Sequence, residues 1–188
     1  YGKARRVWVM DRGIPTEETL EQMRRSDPPV HYLVGTPKGR LSQLEAALTE
    51  LPWQKVREGI TVKLLPQEGE CYVFAQSESR IDKERAMRRR QLKALWQRLP
   101  ELRRMKHLKR DALLMKLGAA RQRWPTAWRL VALRVPGKDE EINEQTFTWR
   151  LRKAKLRQVR RREGRYLLRT NLTEEDPVKL WEYYIQLT

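Results

Sequence analysis

Val7-Trp8-Val9-Met10-Asp11-Arg12-Gly13 is an apolar run that ends on one carboxylate and a glycine-containing turn. Pro15-Thr16-Glu17-Glu18 and a short amphipathic segment follow, and Val30-His31-Tyr32-Leu33-Val34 is a second apolar run. Two such runs joined by a helix-length segment describe a βαβ unit, whose strands are parallel because the crossover returns the chain to the same end of the sheet. In open α/β sheets chemistry gathers at the carboxyl ends of strands, and Asp11 falls there. The fold class expected from this start is α/β.

The first strand is expected over 5–10 and buried, since Val7, Trp8, Val9 and Met10 leave no polar face. Thr16 suits an N-cap, with Glu17 and Glu18 at the positive end of the helix dipole. Leu20 and Met23 form its inner face, and Asp27-Pro28-Pro29 ends it. A second strand over 30–35 and the turn Thr36-Pro37-Lys38-Gly39 close the unit. Leu41, Leu44, Leu48 and Leu51 then recur at helical spacing. Ile60–Leu65 and Cys71–Ala75 read as a hairpin around Gln67-Glu68-Gly69. A long charged helix is expected over 79–99, capped by Ser79 with Asp82 reaching back, on a stripe of Leu92, Leu95, Trp96 and Leu99. Another runs from Leu108 to Trp124, where Pro125 stops it. Strands are expected at 127–135, at Phe147, Trp149 and Leu151, and at 165–170 after a basic stretch. Asp176-Pro177 pairs an N-cap with proline at the first helical position, so a last helix begins there.

Lys and Arg number 41 against 24 acidic residues in 188, a net charge of +17. Such an excess implies a polyanionic partner, because release of condensed counterions drives binding to phosphate backbones. Arg88-Arg89-Arg90 and Arg160-Arg161-Arg162 are the densest runs; either alone reads most simply as a solvated helix face or a charged loop. With Arg103, Arg104, Lys106, Lys109 and Arg110 they suggest a stripe tracking a nucleic-acid backbone. The lone Cys71 excludes an intramolecular disulfide and a cysteine zinc cluster. His31 and His107 lack metal-ligand spacing, and no glycine-rich phosphate loop is present. Trp8, Trp96 and Trp149 suit apolar faces; Trp53, Trp124 and Trp128 are less committed. No apolar run is long enough to span a bilayer, so no membrane partner is expected.

Taken alone, an aspartate before Arg-Gly is more often a turn residue than a metal ligand. Asp11-Arg12-Gly13 in this setting, however, resembles the DDE transposases of bacterial insertion sequences, of the insertion-sequence-four type. Glu163-Gly164-Arg165-Tyr166-Leu167-Leu168-Arg169-Thr170-Asn171-Leu172 is similar to the stretch that precedes that family's final helix. The resemblance implies a partial ribonuclease H-like core with a large mixed α+β insertion. Residues 1–39 would be the βαβ part, 40–160 the insertion, and 161–188 the return to the core and the start of the helix carrying the catalytic glutamate.

It also implies metal-dependent cleavage and transfer of DNA strands at transposon ends, with Asp11 as catalytic and metal-binding carboxylate. A two-ion Mg²⁺ (or Mn²⁺) site would form in the complete enzyme. Arg12, Arg88, Arg89, Arg90, Arg160, Arg161, Arg162 and Tyr184 would contact nucleic acid. The implied partners are double-stranded DNA, as transposon ends and target, and a second copy of the complete enzyme, in the bacterial cytoplasm with the nucleoid. Tyr184 would open the family signature Y-x-x-R-x-x-x-E-x-x-x-x-x-x-K, where Leu187 departs from the arginine; core packing is its equal alternative. The glutamate would lie beyond Thr188 and the first aspartate before Tyr1, so both ends are expected to be cut and the piece inactive alone. The rival expectations are a non-catalytic nucleic-acid-binding module and a decayed element.

Overall fold

The computed structural model describes residues 6–36 and 38–185. The start of the expected first strand at residue 5, Pro37 of the expected turn, and Leu187 lie outside the described residues. The chain divides into two compact units, one of residues 1–79 with 164–188 and one of residues 80–163.

The first unit is built on a six-stranded mixed sheet. Its strands are β1 (Val7–Met10), β2 (His31–Gly35), β3 (Gln54–Arg57), β4 (Ile60–Gln67), β5 (Glu70–Ser77) and β8 (Arg165–Thr170), in the order β1-β2-β8-β5-β4-β3. β1 and β2 are parallel, as the crossover through α1 (Glu17–Arg25) requires, with Met10 beside Val34. Every other neighbouring pair is antiparallel. Glu68 and Gly69, at φ 47° and 77°, make the two-residue turn between β4 and β5.

Alternation along the strands separates two apolar faces. On one, α1 covers Tyr32 and Val34 with Leu20 and Met23, while α2 (Lys38–Glu50) covers Tyr72, Phe74 and Leu167 with Leu41 and Leu48. On the other, α7 (Pro177–Ile185) lays Leu180 and Trp181 on Leu33, Val62, Val73 and Leu168. Asp176 Oδ1 accepts from Val178 N at 2.6 Å, so the Asp-Pro helix start is realised.

The second unit holds α3 (Glu78–Arg104) from Arg80 onward, α4 (Arg110–Arg123), the short α5 (Pro125–Trp128), the hairpin of β6 (Val131–Arg134) and β7 (Thr148–Leu151), and α6 (Lys153–Arg162). Leu95, Leu99 and Leu102 of α3 pack with Leu113, Leu117, Ala127, Val131 and Phe147.

Several expectations are corrected. Residues 40–79 do not belong with an insertion apart from the βαβ start: β3, β4 and β5 extend the same sheet, and the separate unit begins at Arg80. α3 begins at Glu78, leaving Ser79 inside its first turn, and runs through Pro100 to Arg104. The expected strand over 127–135 is a helical turn followed by four strand residues. The basic stretch before Gly164 is a helix, α6, carried by the good helix propensity of Lys, Arg, Gln and Leu. Neither Trp8 nor Trp96 is core: β1 is an edge strand with Trp8 57% exposed, and Trp96 of α3 is 37% exposed.

Candidate functional site

Asp11 follows β1 directly, at the carboxyl end of the parallel pair, and is exposed. Its Oδ1 accepts the N–H of Arg12 at 2.7 Å, and its carbonyl accepts Ile14 N–H at 3.3 Å, closing the turn. Its Oδ2 takes no hydrogen bond among the described residues. The helix cap is another residue, Thr16, whose side chain accepts from Thr19 N–H at 3.1 Å.

A hard divalent cation takes about six oxygen ligands and keeps several waters. Asp11 suits one such position. Among the described residues no three His, Cys, Asp or Glu side chains gather as a metal-ligating group.

Beside the turn, the sheet carries a buried ionic network that sequence reading missed. Arg169 donates through Nε and Nη2 to the two carboxylate oxygens of Glu70, at 2.7 and 2.6 Å, and through Nη1 to both oxygens of Glu17. Tyr32 Oη donates to Glu70 and accepts from Arg24 Nη1 at 2.7 Å. Glu70 and Arg169 are buried, and pairing with hydrogen bonding on every side is what allows it. The hydrogen bond from Arg169 holds the Glu17 carboxyl below its usual range. Burial, then the bond to Glu70, pushes the Tyr32 phenol up. Glu17 is the first residue of α1, so the network ties the helix after the Asp11 turn to β5 and β8. The available signal was two opposite charges, Glu70 and Arg169, each next to an apolar run, Cys71–Ala75 and Tyr166–Leu168.

The basic residues sort unequally. Arg89, Arg90, Arg160 and Arg161 are exposed and Arg162 is half-buried, and none has a side-chain hydrogen bond or ion pair among the described residues. Arg12 is exposed beside Asp11. Arg88 is a correction: it is 5% exposed and its guanidinium forks onto Glu163, with Nη2 to Oε2 at 3.3 Å. It holds α6 to α3 and is not presented to a partner. Tyr184 is half-buried, with its ring centroid 5.7 Å from that of Tyr166 and 5.4 Å from that of Trp181. Its surroundings are those of the core-packing alternative.

Charge follows the division of the chain. Residues 80–163 hold 27 of the 41 Lys and Arg but 9 of the 24 acidic residues, a net +18; the other unit holds 14 and 15, a net −1. α6 carries Lys153, Lys155, Arg157, Arg160, Arg161 and Arg162 and no acid, so like charges face one another at i, i+4. No family model, curated protein or solved structure matches the chain.

Proposed function

We propose that the chain is the central part of a DDE-type DNA transposase, with a ribonuclease H-like sheet presenting Asp11 and the unit of residues 80–163 holding DNA. The observation that carries the reading is the placement of Asp11: an exposed carboxylate, one oxygen open, at the carboxyl end of a strand in a parallel pair. The residue pattern shared with that family supplies the rest. In this reading the other carboxylates of the site come from outside the described residues. A bound Mg²⁺ or Mn²⁺ would activate water and stabilise the leaving oxygen in phosphodiester cleavage. The protein's own contribution is to hold Asp11 on a rigid strand end and to neutralise DNA phosphates with arginine.

Paramagnetic broadening tests the metal ligand. Mn²⁺ added to the chain should broaden the amide resonances of Arg12 and Gly13 selectively, and Asp11→Asn should abolish the effect while leaving metal-free DNA affinity unchanged. Equal broadening in the Asn variant would remove Asp11 as a ligand. The same charge division supports a second reading, a non-catalytic nucleic-acid-binding module, for which Mn²⁺ leaves the Asp11 turn undisturbed and DNA binding stays intact.

A further inference from the structure

We propose that Gly35 is a positioning residue for the Asp11 carboxylate, because its missing side chain leaves the space into which the backbone of Arg12 settles. A Cβ built on Gly35 stands 3.1 Å from Arg12 N and 3.5 Å from Arg12 Cβ. The first separation is tighter than nine in ten real Cβ contacts, so a side chain there would push the Arg12 backbone away by a few tenths of an ångström. The Arg12 nitrogen donates to Asp11 Oδ1 at 2.7 Å. Any displacement of Arg12 is therefore passed to the carboxylate through one short, charge-assisted bond.

The turn has little freedom to absorb the push elsewhere. Met10 is held in the ladder beside Val34, and α1 is held by the Thr16 cap and by Glu17 on Arg169. Between these anchors the soft point is Gly13 at φ 84°, inside the turn itself. Gly35 has no left-handed backbone of its own, so contact with Arg12, and not backbone strain, is what a side chain there would cost. The functional meaning rests on the reading of Asp11 as a metal ligand: a carboxylate set in place beforehand meets an ion without rearrangement.

The test is made by nuclear magnetic resonance on the full chain. In the wild type, the Arg12 amide proton should show a nuclear Overhauser contact to the Gly35 α protons and slowed hydrogen exchange. Gly35→Ala should keep the fold by circular dichroism but shift the Arg12 amide resonance, remove its exchange protection and weaken Mn²⁺ binding at the turn about tenfold. A wild type without the Arg12–Gly35 contact overturns the proposal, as does a variant whose Arg12 amide is unchanged. If Gly35→Ala fails to fold, the wild-type contact still decides. If Mn²⁺ leaves the wild-type turn undisturbed, the metal reading fails separately, and the Arg12 amide alone judges Gly35.

Discussion

Arg88 and Arg89 are neighbours in one basic run, yet the fold gives them opposite environments. Arg89 faces solvent, whereas Arg88 turns inward onto Glu163, both partners being 5% exposed. Removing one member of a buried pair strands the other's charge, so Glu163→Gln should destabilise the 80–163 unit by about 3–5 kcal/mol. Urea unfolding measures it, and a midpoint equal to wild type would contradict the assignment. Glu17 gives a pH-dependent counterpart. Arg169 depresses its folded-state pKa, so its contribution is present above the unfolded value and is lost as pH falls through the folded one. The thermal midpoints of wild type and Glu17→Gln should thus differ most at neutral pH and converge as pH falls through and below the ordinary glutamate range. A constant difference across that range would show that the carboxylate charge contributes nothing.

At the scale of elements, periodicity was legible where a stripe faces a core. The β4–β5 hairpin, α1 with its Thr16 cap, β8 and the Asp176-Pro177 start of α7 all stand close to where apolar spacing and turn chemistry put them. α6 was not legible, because it buries no residue fully and only Leu156 and Val159 mark its inner side. Its run of positive charge without acids is tolerated in water, and a phosphate backbone would relieve the mutual repulsion. Replacing Arg160 and Arg161 together with alanine should make the slope of log affinity against log salt for duplex DNA shallower by about 1.8, at about 0.9 per phosphate contact. An unchanged slope would take α6 out of the interface.

Across the whole molecule the division of charge is the broadest result. One unit is close to neutral and carries Asp11; the other is strongly basic. Acetylation footprinting of the full chain on duplex DNA should therefore protect Lys93, Lys153 and Lys155 and leave Lys55 and Lys179 reactive. Protection spread evenly over both units would refute the division of labour. Among the described residues no helix is long and apolar enough to cross a membrane.

The amino-acid sequence by itself determined the βαβ start, the parallel pairing of β1 with β2, the position of Asp11 at a strand end and the presence of a large basic excess. These depend on local spacing, turn residues and composition, which need no knowledge of distant neighbours. Only the tertiary structure decided that β3, β4 and β5 complete the same sheet, that Trp8 lies on an exposed edge, and that Arg88 is buried on Glu163. It alone also showed Gly35 lying under Arg12. Each of these depends on which distant segments become neighbours, and strand order, burial and close approach are non-local quantities that a period along the chain does not encode.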